Sequence, residues 1–325
     1  MKLDQEERDQ IARRRLVSIL TRHGVALART LEQKISDAGP EGQRIDPHVL
    51  TRVRGEMVDQ GRIVQSLHVN APWFHLVETS QAVVQRRLEE QLPVYQELNR
   101  RSLTLRLGQA LEIATYKALL QSNLEFHGRF KDLADHDDSK LYAKEEPPQH
   151  IGRLALAGDQ RLDFLVRHPE AKHLGVECKN VREWLYPDRE EIAAAPAKCI
   201  TLDCVPVLIA RRIPYVSFQL FTTCGVILHQ NYNQLFAVAD TPIADKARDK
   251  RLLGYHDIRI GNEPNERLIK FITTNLPKVA PAARAKFDSY KDLLSSFAFR
   301  MSSYDEFAAR VRRRSQGENE DFDRF

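Results

Sequence analysis

The chain has 325 residues, 42% of them hydrophobic and 29% charged, with a formal net charge of +4. That is enough apolar material for two domains, or three smaller modules, under a strongly charged surface. No apolar run approaches the roughly 20 residues that span a bilayer, and the first residues carry no signal-peptide pattern, so neither a membrane partner nor secretion is expected.

The cysteines at 178, 199, 204 and 224 form no C-x-x-C pair. A reducing, cytoplasmic setting is expected rather than a disulfide framework or a zinc site. Charge is uneven: arginines crowd the N-terminal part, and acidic residues gather at 132–146 and in the last ten positions. A locally basic surface on a nearly neutral chain suits a phosphate-bearing partner.

Residues 5–23 predict a helix with Ile11, Leu16, Ile19 and Leu20 as its apolar stripe, ended by Gly24. A second helix is predicted over 25–36, closed by residues 37–42. The third starts at Asp46 as N-cap with Pro47 in the first position, and carries Val49, Leu50, Val53, Met57 and Val58. Two strand-like runs, 62–69 and 73–77, flank Asn70. Three helices followed by a β-hairpin resemble a winged helix-turn-helix domain over residues 1–79. The resemblance implies that the third helix enters the major groove of duplex DNA and presents His48, Thr51, Arg52 and Arg54. Arginine suits guanine edges or phosphates; a protein-binding winged helix with a solvated basic face is the alternative.

Residues 80–101 predict a connecting helix broken or kinked at Pro93. The next helix, 105–120, has Leu107, Leu111, Ala114 and Ala118 on its apolar face and carries Glu112. Gly108 stands one turn earlier, where a missing side chain allows close packing against a sheet. A strand is predicted at 124–127, and the acidic stretch 131–150 suits an exposed insertion loop. Two short strands follow, 161–166 and 176–180, separated by a polar turn at 167–170. Alternation places Glu177 and Lys179 on one face and Val176 and Cys178 on the other. If the strands pair, Asp163 lies close to Glu177. Two carboxylates beside an ammonium meet the needs of phosphodiester hydrolysis: a hard cation to activate water, and a positive charge to steady what develops. The spacing alone is weak, because Glu32 and Lys34, Asp138 and Lys140, and Glu170 and Lys172 repeat it. Only Glu177 and Lys179 are strand-borne with a strand-borne Asp upstream, and a surface ion pair is the plain alternative.

The order of helix with Glu112, strand, strand with Asp163, and strand with Glu177 and Lys179 resembles the PD-(D/E)XK nuclease superfamily over residues 102–240. The resemblance implies an α/β fold with a restriction-endonuclease-like mixed-sheet core flanked by helices. It makes Asp163, Glu177 and Lys179 a catalytic trio and Glu112 an additional carboxylate. Mg²⁺ (or Mn²⁺) would be held by Asp163, Glu177 and Glu112. Leu162 stands where the name-giving proline would be.

Beyond this trio, Arg182, Trp184 and Tyr186 mix basic and aromatic groups, which suits either packing or stacking on an unpaired base. A helix is predicted over 188–202 despite Pro196, with Lys198 on a solvated face or near phosphate. Residues 205–210 predict a buried strand with Arg211 and Arg212 at its end, and further strands are predicted at 226–229 and 234–238. Residues 241–325 are expected to form a mainly helical C-terminal extension, with an acidic tail whose composition suits disorder. Leu268, Phe271, Leu293 and Phe297 anchor it over the core or in a homodimer contact. No Walker motif or G-x-G-x-x-G is present, so no nucleotide cofactor is expected. The expected function is a Mg²⁺-dependent DNA endonuclease in restriction-like defence or DNA processing. A non-catalytic winged-helix regulator with a structural α/β domain, and an RNA endonuclease, stay open.

Overall fold

The computed structural model describes residues 4–36, 45–134, 138–187 and 189–320. The predicted turn over 37–42, part of the acidic insertion, the start of the helix predicted from Asp188 and the last five residues lie outside the described residues. Two compact units form, one from residues 1–104 with 240–258 and one from 105–239 with 259–325. Among the described residues no helix is long and apolar enough to cross a membrane.

In the first unit, α1 (Gln5–His23) opens with a capping box. Asp4 accepts from the Glu7 N–H and Glu7 accepts from the Asp4 N–H, and the helix ends at Gly24 with φ 72°. Then come β1 (Ala26–Leu27), α2 (Ala28–Ile35), α3 (Pro47–Asp59), β2 (Ile63–His68) and β3 (Ala71–Leu76). β3 is central in a three-stranded antiparallel sheet. β1 takes two residues from the predicted second helix, and so short a strand leaves no periodic trace in sequence. The hairpin turn is Val69 and Asn70, with φ 51° and 57°, so β3 begins at Ala71 and not at Trp73. Pro72 is tolerated in this central strand because β1 pairs only with Trp73 and Phe74, leaving no ladder bond for its missing N–H. Leu16, Leu20, Leu31, Leu50, Val53 and Phe74 fill the core. α4 (Gln81–Leu98) runs through Pro93 without a break. The proline orphans one carbonyl, that of exposed Glu89, which water can satisfy.

The second unit contains α5 (Arg101–Leu119) from Leu105 onward, then β4 (Glu125–His127). Two small ladders follow, β5 (Arg129–Phe130) with β6 (Lys144–Glu145) and β7 (His150–Ile151) with β8 (Leu154–Ala155). Next are β9 (Phe164–His168), β10 (Lys172–Lys179), α6 (Glu190–Thr201), β11 (Val205–Ala210), α7 (Tyr215–Thr223), β12 (Ile227–Gln230) and β13 (Gln234–Phe236). α8 (Thr241–Arg248) belongs to the first unit, so the predicted C-terminal extension does not form one block. β14 (Ile258–Ile260), α9 (Glu266–Lys270), a π-helical turn, α10 (Leu276–Ala298) and α11 (Tyr304–Gln316) complete the chain.

The main sheet is mixed, in the order β12-β11-β10-β9-β4. β10, β11 and β12 are parallel, whereas β9 and β4 pair antiparallel. The polar turn between β9 and β10 starts two residues later than predicted. Its cause is His168, which stays in the strand and accepts the N–H groups of Glu170 and Ala171 on Nδ1 at 3.2 and 3.0 Å. Alternation sends Phe164, Val166, Leu174, Val176 and Cys178 into one core with Leu111, Ala114 and Ala118 of α5. The other face meets α6, α7, α10 and α11 through Leu208, Phe221, Phe287, Phe297 and Phe307. The C-terminal helices thus close over this sheet.

Gly175 sets the seat of α6. A Cβ there would meet Cys199 Sγ at 2.6 Å and Cys204 Sγ at 2.8 Å. Gly175→Ala is expected to cost about 1–3 kcal/mol, the usual range for overpacking a core. Urea denaturation measures this, and an unchanged midpoint would mean that α6 does not depend on the close approach.

Candidate active site

β9 and β10 pair from His168 opposite Lys172 to Phe164 opposite Val176, and then part. Asp163 therefore precedes β9 and does not lie within it, a correction to the strand predicted over 161–166. Its N–H still donates to the Val176 carbonyl at 3.0 Å, one position off the register that pairs Phe164 with Val176, so Asp163 is held at the strand end as a bulge. Its Oδ2 accepts from the Cys178 N–H at 2.6 Å. The carboxylate takes over the edge bond that β9 no longer supplies, because a buried N–H requires a partner.

Glu177 is 1% exposed. Lys179, two positions along the same strand face, donates to its Oε2 at 2.9 Å, and Lys198 of α6 donates to its Oε1 at 2.6 Å. Lys198 also donates to the Arg161 carbonyl at 2.6 Å. It is drawn into the site and not left on a solvated face. Glu112 projects from α5 and accepts from Lys144 at 2.6 Å. The Lys144 ammonium also lies 4.9 Å from the centre of the Phe164 ring. Lys144 is a residue that sequence reasoning missed, since the composition of the acidic insertion points to exposure. Gly108 corrects another expectation: a Cβ there would meet nothing within 4 Å, so the glycine faces open space and does not pack on the sheet. Buried Asn180 ties the end of β10 in place. Its Nδ2 donates to the Leu107 and Leu235 carbonyls at 2.6 and 2.7 Å, and its Oδ1 accepts from the Leu235 N–H at 2.9 Å.

The charges form one network. Burial, then the Glu177 and Glu112 carboxylates, push the Asp163 carboxyl up to about 8, against the pull of Lys179 and Lys144. Burial alone would lower the Lys179 ammonium, but Glu177 and Asp163 outweigh it and hold it above its usual value. Lys144 is raised against burial in the same way by Glu112 and Asp163. Among the described residues, no three His, Cys, Asp or Glu side chains stand ready as a group to hold a metal ion. The ammoniums hold Glu177 by both oxygens and Glu112 by one. The donor chemistry nonetheless fits a hard divalent cation. All three groups are carboxylates, and the negative charge of Glu177 and Glu112, which adds to burial in raising Asp163, is what a cation would relieve.

On α3, His48 and Thr51 are exposed. Arg52 is exposed too, but pairs with Asp9 at 2.6 Å and with Glu56. Arg54 is a correction. It is 9% exposed, with its guanidinium 4.5 Å from the centre of the Phe74 ring and Nη1 without a hydrogen-bond partner. Burial holds its pKa below the ordinary value. Position 54 lies four residues after Leu50 and three before Met57, on the apolar stripe, so it packs inward and presents nothing to a groove. All four cysteines are buried and free.

Neither family models, nor curated proteins, nor solved structures gave a match to this chain.

Proposed function

We propose that the chain is a Mg²⁺-dependent DNA endonuclease with a restriction-endonuclease-like core and a winged-helix domain. One observation carries this reading: buried Asp163, at the fork between β9 and β10, lies within the electrostatic reach of both Glu177 and Glu112, with Lys179 on the same strand face as Glu177. The mixed strand order supports the nuclease-like core, and three helices with a small antiparallel sheet support the winged helix. Asp163, Glu177 and Glu112 would hold Mg²⁺ (or Mn²⁺), which when bound polarises phosphate and lowers the pKa of water. Lys179 steadies the negative charge that grows on the phosphate oxygens. Lys198 and Lys144 keep the Glu177 and Glu112 carboxylates at the cluster.

The lysine pairing favours a second reading as well, a non-catalytic DNA-binding regulator in which these ion pairs only support the sheet. Phosphodiester chemistry does not name the sugar, so an RNA endonuclease is the third. Incubation with plasmid, single-stranded DNA and RNA, in Mg²⁺ or EDTA, separates them. DNA cleavage abolished by EDTA is the expected result. Cleavage of RNA alone would move the assignment to RNA, and intact substrates throughout would leave the regulator.

Arg52→Ala is expected to weaken duplex binding and to lower the salt slope by about one unit if its guanidinium meets a phosphate. Arg54→Ala is expected to act on folding, because that side chain is packed on Phe74. Filter binding over a salt series measures the first. An Arg52→Ala protein with unchanged affinity and slope would mark the domain as a protein-binding one.

A further inference from the structure

We propose that the loops beyond the C-terminal ends of β10, β11 and β12 form a stacking platform for an unpaired nucleotide of the substrate strand. This deepens the nuclease reading, on which it rests, by naming the form of nucleic acid that the site accepts. Lys179, Ala210 and Gln230 stand in register at the ends of the three parallel strands. Each strand then delivers part of the platform: Trp184 and Tyr186 follow β10, Arg212 follows β11, and Tyr232 follows β12. The loops are bonded to one another. The Leu185 N–H donates to the Arg212 carbonyl at 3.0 Å and the Tyr232 N–H to the Arg211 carbonyl at 3.1 Å.

The rings and cations interleave. Trp184 and Tyr186 stack with centroids 6.5 Å apart and planes 21° from parallel. The Arg212 guanidinium lies 5.8 Å from the Trp184 centroid and 4.7 Å from that of Tyr232. Arg267, at the start of α9, covers Tyr232 at 4.3 Å. Tyr232 has φ 63°, a left-handed conformation that costs a bulky residue energy and that persists where the surrounding structure enforces it. Trp184, Tyr186 and Tyr232 are half-buried, and Arg267 is exposed. Among the described residues no carboxylate pairs with Arg267. The rings hold the guanidiniums flat, and the plane of exposed Arg267 gives a base a face to stack on while its charge attracts the flanking phosphates. Bases stacked inside a blunt duplex offer no such face, so the partner is unpaired DNA or RNA, held on the same sheet edge as Lys179.

Trp184 reports on its own platform. The chain has two tryptophans, and the other, Trp73, is fully buried in the first unit. The full chain in EDTA is titrated with oligothymidylate, with oligouridylate and with a blunt duplex of equal length. Saturable quenching by a single strand, absent with the duplex, is expected, and the strand that quenches names the sugar. By anisotropy of a labelled strand, Arg267→Ala and Tyr232→Ala are expected to weaken binding about tenfold, the range for loss of one stacking contact. Arg267 is exposed, so its variant tests the platform even if Tyr232→Ala unfolds. No quenching by either strand, equal quenching by the duplex, or unchanged affinity of Arg267→Ala would overturn the proposal. Lys179→Ala separates this from the nuclease reading, because it should lose cleavage and keep quenching. Quenching without any cleavage by wild type keeps the platform and sinks the nuclease; cleavage without quenching does the reverse.

Discussion

Lys179→Ala is expected to slow Mg²⁺-dependent cleavage by roughly 10²–10³, the usual cost of one preorganised electrostatic contact at a reacting centre. Lys198→Ala is expected to cost much less rate and more stability. Both ammoniums donate to Glu177, at 2.9 and 2.6 Å, so a purely structural ion pair would rank them alike or place Lys198 first. They differ in their other neighbours. Lys179 also faces the Asp163 carboxylate, whereas the second bond of Lys198 goes to the Arg161 backbone. On the proposed nuclease reading the first lysine would serve the chemistry, whereas the second pins the backbone at Arg161, two residues before Asp163. Lys179→Ala should also weaken metal-free duplex binding modestly, since it removes positive charge from the approach of the phosphate. Single-turnover cleavage, beside thermal denaturation of both variants, measures the contrast. Equal rate losses in the two folded variants would return Lys179 to a structural role.

The parts of this site that were legible in sequence are those set by local periodicity. Residues 205–210 read as a buried strand because all six are apolar, and β11 occupies that range with every residue buried. Alternation alone places Glu177 and Lys179 together. Asp163 stays at the end of the strand pair even though β9 starts at Phe164, because its N–H still bonds the Val176 carbonyl and its Oδ2 the Cys178 N–H. Lys144 escaped, and Lys198 stayed open between a solvated face and the site, because they reach carboxylates 32 and 21 residues away, across elements whose packing no local pattern encodes. Lys144 also sits in an acidic, proline-rich stretch whose composition points to solvent, yet its side chain is 6% exposed. Arg54 was misread against an available signal, since the stripe from Leu50 to Met57 runs through its position. The closure of Leu268, Phe271, Leu293 and Phe297 on the core was one of two readings, but the split of residues 241–325 between two units was not legible, because polar helices carry no mark of which core they will join.

Asp163→Asn is expected to give a protein that is inactive and, without metal at high pH, more stable than wild type. Folding raises the Asp163 carboxyl from 3.8 to about 8, chiefly through burial and the Glu177 carboxylate. Between those values the folded state keeps a proton that the unfolded chain releases. Its contribution is thus full below the unfolded pKa and is lost as pH rises through about 8. Asparagine removes the titration and retains an oxygen to accept the Cys178 N–H, the bond that Oδ2 accepts at 2.6 Å. The variant should exceed wild type by a few degrees in Tm at pH 9, at about 2–4 °C for each kcal/mol, and the gap should close toward pH 5. Mg²⁺ should raise the wild-type Tm at pH 9 and leave the variant nearly unmoved, because only a folded site that binds the ion is stabilised by it. Metal-free duplex affinity should stay level or rise, since one fewer negative charge meets the phosphate. An aspartate kept for structure would give the opposite pattern, because removing it would lower stability at every pH. Thermal scans from pH 5 to 9 in EDTA and in Mg²⁺, with a metal-free binding titration, decide between them. A variant that is less stable at pH 9, or that binds duplex much more weakly while folded, would remove Asp163 from the site.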